Sequence, residues 1–181
     1  MFFIYFFLFI LALTLVVLII FYAFLVFGYA RTGVPFIPRP KKSQEGIFEL
    51  MNLKEGETLV DLGCGDATLL IAAEKKYNIK TIGYELSPAA FIIAKINIFL
   101  KKSKTQVFLK DFFKADLSQA DIIFCYLFPF LMKKISENLK KELKPGARIV
   151  SLAFPLPDWP NEKKEYLDKE KKRGKIYIYY K

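Results

Sequence analysis

Histidine is absent from this sequence, and cysteine occurs twice, as Cys64 and Cys125. Without an imidazole the commonest general base is missing, and Ser-His and Cys-His nucleophile pairs are excluded. Two isolated cysteines with no histidine do not make a zinc site, so no metal is expected. A Gly-x-x-x-x-Gly-Lys-Ser/Thr run is also missing, which excludes a P-loop. Any chemistry must work through positioning, carboxylates, tyrosine or backbone groups. A further absence is local. Residues 1–30 contain no Asp, Glu, Lys or Arg, so all 28 basic and 18 acidic side chains, and the net charge of +10, lie from Arg31 onward.

That charge-free run is Phe, Ile, Leu, Val and Tyr almost throughout. A helix of about 20 apolar residues crosses the hydrocarbon of a bilayer, and 1–30 supplies more. It has no basic start and is too long for the apolar core of a signal peptide. A soluble core helix is rarely apolar on every face for such a length. We therefore expect residues 1–30 to be a transmembrane anchor. Arg31, Arg39, Lys41 and Lys42 follow it and nothing basic precedes it. The positive-inside rule then makes a single-pass protein whose working domain is cytoplasmic, where no disulfide is expected. Residues 31–42 read as a stiff basic linker, with Pro35, Pro38 and Pro40 barring a helix. Residues 43–181 suffice for one domain.

Within 43–181, Ser43 reads as the cap of a short helix carrying Ile47, Phe48, Leu50 and Met51. Short apolar runs at 58–62, 80–85, 106–109, 121–126 and 147–153 read as buried strands. Between them, 67–77, 88–100 and 129–143 read as helices, with Pro88 in a first turn and Pro145-Gly146 after the last. Such alternation predicts an α/β fold: a Rossmann-like, doubly wound and mostly parallel sheet. Near the C-terminus a pair of readings stands, an antiparallel hairpin over 165–180 or a charged helix over 162–173.

The first strand ends in Asp61-Leu62-Gly63-Cys64-Gly65-Asp66. Two glycines permit a sharp turn and close approach of a ligand to the backbone. Glu85, 20 residues after Gly65 and at the end of the second strand, can accept hydrogen bonds from vicinal ribose hydroxyls. A dinucleotide turn would hold an anionic diphosphate. Here Asp61 and Asp66 flank the turn and Thr68 replaces the third glycine. Two carboxylates suit a ligand bearing an ammonium and a sulfonium, as S-adenosylmethionine does.

These residues resemble the first and second motifs of class I S-adenosylmethionine-dependent methyltransferases. The resemblance covers residues 58–152. It implies that Asp61, Gly63, Cys64 and Gly65 border the methionine half of the cofactor, that Glu85 binds the ribose, and that Asp111 and Phe112 approach the adenine. A longer ordered set is similar to the small membrane-anchored protein-lysine N-methyltransferases of the ATP synthase c-subunit and adenine nucleotide translocase. It comprises the apolar N-terminal run, Val34-Pro35-Phe36-Ile37-Pro38, the two motifs above and Phe154-Pro155-Leu156-Pro157-Asp158-Trp159. The chain departs from those enzymes in its basic tail and in Thr68-Leu69-Leu70. This resemblance implies a membrane-associated protein as the acceptor.

No catalytic residue is singled out. Tyr126 and Phe128 after the fourth strand, and Phe154 and Trp159 after the fifth, are the candidate walls of an acceptor pocket, because ligands bind at the carboxyl ends of such strands. Aromatic faces orient a lysine and tolerate its methylated cation. Cys125 reads as packing and Asp121, at the start of its strand, as structural. Methylation of a small or lipidic membrane acceptor, or a non-catalytic module keeping the fold, remain open. The surplus at Lys163, Lys164, Lys169, Lys171, Lys172, Arg173 and Lys175 suits anionic lipid. No nucleic-acid motif accompanies it.

Overall fold

The computed structural model describes residues 2–32, 44–160, 162–168 and 170–181. The chain divides into two compact units between residues 35 and 36. The first holds one helix, α1 (Phe2–Thr32). Its segment Phe2–Ala23 is long and apolar enough to cross a membrane. The helix runs two residues past the expected anchor, into what the sequence assigns to the linker. The rest of the linker and the expected cap Ser43 lie outside the described residues.

The second unit opens with α2 (Gln44–Met51), which buries Ile47, Phe48 and Met51. Then come β1 (Thr58–Leu62), α3 (Thr68–Tyr77), β2 (Lys80–Glu85), α4 (Pro88–Leu100) and β3 (Gln106–Leu109). A 3-10 turn at Phe112–Lys114 leads to β4 (Ile122–Cys125), α5 (Pro129–Glu142), β5 (Arg148–Leu152), β6 (Lys163–Asp168) and β7 (Arg173–Tyr180). The seven strands form one sheet in the order β3-β2-β1-β4-β5-β7-β6. The first five are parallel, while β7 runs antiparallel to both β5 and β6.

The expected Rossmann-like sheet is therefore present, and of the two C-terminal readings the hairpin holds. Its order adds something the sequence does not announce. The last strand inserts next to β5, so Ile176, Ile178 and Tyr179 are buried, while the earlier strand forms the sheet edge. Ile-Tyr alternation in β7 gives both of its faces to packing, whereas β6 carries exposed lysines, as an edge strand needs to avoid further pairing.

Alternate residues of β1 serve opposite layers. Leu59 packs with α2 and α3 together with Ile122, Phe124 and Val150. Val60 and Leu62 pack with Ile123, Ile149 and the Met132, Ile135 and Leu139 stripe of α5. The strand order reverses between β1 and β4, and it is at such a switch point that the carboxyl ends of an open sheet leave a crevice.

The opposite rim is braced by polar contacts. Asp121 accepts a hydrogen bond from the Thr58 N–H at 2.9 Å and pairs with Lys144 at 2.7 Å. Burial acts to raise its pKa, but those bonds and the charges of Lys144 and Arg148 hold the carboxyl below its usual value. Arg148 in turn grips Glu57 at 2.8 Å. Asp121 thus stands at the amino-terminal end of its strand as a structural acid.

Candidate functional site

At the switch point the chain passes from β1 through a turn into α3. Asp61 is buried in the sheet, paired in register with Gly83 on one side and Phe124 on the other. Gly63 has φ of 80°, which an L side chain rarely adopts, and a Cβ there would lie 3.2 Å from Leu127. The Gly63 and Cys64 N–H groups both donate to the Tyr84 carbonyl, at 2.9 and 3.1 Å. The turn is thereby fastened to the end of β2.

Glu85 completes this fastening. Its Oε2 accepts from the Gly65 N–H at 2.8 Å, and its Oε1 accepts from Leu86 and Ser87 N–H at 2.9 and 2.8 Å. A carboxylate offers about four lone-pair sites, so three backbone donors still leave capacity for a ligand hydroxyl. The same contacts fix the carboxylate's position before any ligand arrives.

Asp66 behaves differently from Asp61. Its Oδ1 accepts from the Thr68 N–H and hydroxyl, at 3.1 and 2.8 Å. A first-turn donor that a phosphate would use at a helix N-terminus is thus taken by the chain's own carboxylate. A diphosphate stays disfavoured because Asp66 occupies the Thr68 N–H and Asp61 is buried in the strand, not because two acids face a ligand. Next to Asp66, Ala67 is left-handed with φ of 59°, a conformation that costs about 1 kcal/mol for an L residue.

What holds this strained corner is Asn97 on α4, whose Nδ2 donates to the Asp66 carbonyl at 2.9 Å. Sequence reasoning missed Asn97. The signal was there, a lone amide in an apolar helix, three residues after the buried Ala94.

The remaining candidates divide. Asp111 caps the 3-10 turn by accepting from the Phe113 N–H at 3.0 Å. Phe112 lies against Phe113, ring centroids 4.6 Å apart, and Lys134 sits over the Phe113 ring at 4.3 Å. Asp111 and Phe112 are half-buried and follow β3 directly, at the carboxyl rim. Cys64 turns inward: a Cβ on Gly83 would come within 2.5 Å of its Sγ. Its side chain fills the space beneath the turn, leaving only its backbone for a ligand.

Tyr126 and Phe128 also occupy the rim, half-buried, with Phe128 capping α5 and stacking on exposed Phe130 at 6.3 Å. Phe154 follows β5, and its carbonyl accepts from the Ser151 hydroxyl at 2.6 Å. Trp159 is not brought to them. Its indole is buried against Tyr179, and its N–H donates at 3.5 Å to the carbonyl of Tyr180, which lies opposite Arg148 at the start of β5. The segment after β5 doubles back, so following a strand in sequence did not put Trp159 at that strand's end.

Cys125 is buried, and desolvation pushes its thiol up to about 12, with the Asp61 charge adding to the shift. It stays a thiol at neutral pH and serves as packing. Among the described residues no three His, Cys, Asp or Glu side chains gather as a metal site.

Known proteins place these features in a family. The sequence profile described as the ANTKMT methyltransferase domain matches residues 61–163, more than half of the chain. A protein-lysine N-methyltransferase of Saccharolobus islandicus is 28% identical over 149 residues, covering 81% of this chain and 92% of that protein. The human lysine N-methyltransferase of the ATP synthase c-subunit is 28% identical over 131 residues, 71% of this chain, which spans 55% of the human protein's length. Among solved structures, an RNA methyltransferase from Salinibacter ruber in complex with S-adenosyl-L-homocysteine superposes with a TM-score of 0.73 at 27% identity, covering 80% of this chain and 93% of that one.

Proposed function

Starting from a chain that belongs to the ANTKMT methyltransferase domain family, we propose that it transfers a methyl group from S-adenosylmethionine to a lysine of a membrane-associated protein. The protein is an S-adenosylmethionine-dependent methyltransferase. The observation that carries the reading is Glu85, locked by the Gly65, Leu86 and Ser87 N–H groups with acceptor capacity to spare.

When bound, the cofactor supplies a methyl group already activated by its sulfonium. The chain's own residues have three tasks. Glu85 accepts from the ribose hydroxyls, Asp61 with the Gly63–Gly65 backbone borders the cationic methionine end, and Asp111 with Phe112 flanks the adenine. Next, Tyr126, Phe128 and Phe154 wall the acceptor channel, exclude water and align a nucleophile. Trp159 supports that wall from behind, through the loop it anchors. Lastly, the acceptor ammonium must lose a proton, and an apolar channel favours the neutral amine by penalising its charged form. No histidine is needed for this.

The protein acceptor is supported by the protein-lysine N-methyltransferases among the relatives. Its membrane setting is supported by α1, whose Phe2–Ala23 segment we read as a bilayer span with the second unit on the cytoplasmic side. Incubating the protein with tritiated S-adenosylmethionine and fractionated membranes tests both points. Label should enter a protein band and be recovered as methyl-lysine after acid hydrolysis. Label in the organic extract would instead establish a lipidic acceptor, and label in RNA a nucleic-acid one. A folded protein that does not bind the cofactor calorimetrically would be a module without this activity.

A further inference from the structure

Helix α4 is apolar on nearly every side, a composition expected of a helix buried all round. Yet only Ala90 and Ala94 are buried in it. Ile92, Ile93, Ile96, Phe99 and Leu100 are all exposed, Phe99 by 81% and Leu100 by 70%. At 100° per residue these five fall within one arc of about 120°, opposite the side that Ala90 and Ala94 press onto the sheet. The face is therefore a continuous apolar strip and not scattered single residues, which marks an interaction surface.

Charge identifies what the strip meets. Between Glu85 and Asp111 the chain carries five lysines and no acidic residue. Lys95, Lys101, Lys102 and Lys104 among them are exposed, on α4 and the turn that follows it. Lys95 leans over the Phe91 ring, 5.8 Å from its centroid, at one border of the strip. Apolar side chains rimmed by cations of one sign fit the boundary between the headgroups and acyl chains of an anionic bilayer, where such helices lie flat. A second protein partner would need to match a strip with no acceptor groups of its own, and a nucleic acid would leave the five apolar side chains unsatisfied.

We propose that the exposed face of α4 is a bilayer-docking surface that seats in the headgroup region of an anionic membrane. With α4 lying in that plane, the carboxyl ends of the strands open along the membrane surface, where an acceptor residue just above the headgroups is reached. The proposal deepens the membrane aspect of the proposed function, and rests on it only for how the second unit is brought to the surface.

Site-directed spin labelling of the full chain in proteoliposomes separates the two. Cys64 and Cys125 are both buried, so a nitroxide reagent selects an introduced cysteine. Labels go at Phe99→Cys for docking, Leu13→Cys for the span and Glu137→Cys, on α5, as an aqueous control. In vesicles of phosphatidylcholine with phosphatidylglycerol, the Phe99 label should be several-fold more accessible to oxygen, relative to an aqueous nickel complex, than the Glu137 label. Each lysine near an anionic surface contributes about a fivefold factor in partitioning. Changing Lys95, Lys101, Lys102 and Lys104 to Glu, or omitting phosphatidylglycerol, should therefore return the Phe99 label towards the aqueous value while cofactor binding persists. A Phe99 label that stays aqueous in anionic vesicles overturns docking, even if the Leu13 label is within the hydrocarbon. Spin–spin broadening at Phe99 that persists in detergent also overturns it, by showing that a second copy covers the face. An aqueous Leu13 label with a lipid-exposed Phe99 label would sink the span and leave docking standing.

Discussion

Replacing Glu85 by Gln tests the site with the least change of shape. The carboxylate accepts three backbone N–H groups, and an amide nitrogen in place of either oxygen would face a donor with a donor. Losing a hydrogen bond to a charged acceptor costs about 2 kcal/mol, so calorimetry should show cofactor affinity falling by roughly 10- to 100-fold. Gly83→Ala probes the same corner by volume. The new Cβ would lie 2.5 Å from Cys64 Sγ and 2.8 Å from Leu70 Cδ1, in a core that cannot open without moving the turn. Overpacking of this kind costs about 1–3 kcal/mol, which urea unfolding would register, and adding Cys64→Ala should restore part of the loss. At this scale the sequence is legible wherever backbone geometry demands a residue type. Gly63, Gly65 and Glu85 could be placed from spacing alone. Cys64 could not, because the direction in which a turn residue points depends on the neighbouring strand, and Gly83 is what makes room for it.

Elements show where one strand's end is another strand's beginning. Tyr179 on β7 donates to Glu162 at 2.9 Å and accepts from the Leu156 N–H at 2.8 Å, so it pins the loop that carries Phe154. Tyr179→Phe leaves a buried N–H without its acceptor, and denaturant unfolding should show a loss of about 1–3 kcal/mol. The other rim offers a pH test. The Asp121 carboxyl is held below its ordinary value of 3.8 in the folded chain. Its stabilising effect is therefore complete above that ordinary value and lost as pH falls through the lower folded one. Asp121→Asn should cost about 1 kcal/mol at pH 7, a modest figure for a partly exposed pair, and progressively less as the pH is lowered below 3.8. The five parallel strands were readable because a strand buried on both faces is a continuous apolar run. The order of the last two was not, since alternation along β6 and β7 says that they pair but not which of them meets β5. Trp159 was misplaced for the same reason, as its position depends on β7 lying next to β5.

At the level of the whole chain, the distribution of charge divides the labour. Residues 1–30 carry none, and the net +10 is borne entirely by residues 31–181. If Phe2–Ala23 spans the bilayer and α4 rests on it, the first sets residence and the second sets orientation, and their disruption should look different. A lysine at the middle of a span costs about 3 kcal/mol on insertion scales. Leu13→Lys paired with Leu15→Lys should accordingly move much of the protein from the membrane pellet to the soluble fraction in a flotation assay. The second unit has its own core and site, so transfer to a soluble lysine peptide should be unchanged per folded molecule. Transfer to the proposed membrane-associated acceptor should fall with the bound fraction. The lysine-to-glutamate changes on α4 and the turn after it should leave the protein in the pellet and still slow transfer to the proposed membrane-associated acceptor. Equal loss with soluble and membrane-associated acceptors after the Leu13 and Leu15 changes would mean that α1 supports the catalytic unit itself. In that case the apolar helix would not be acting as a tether.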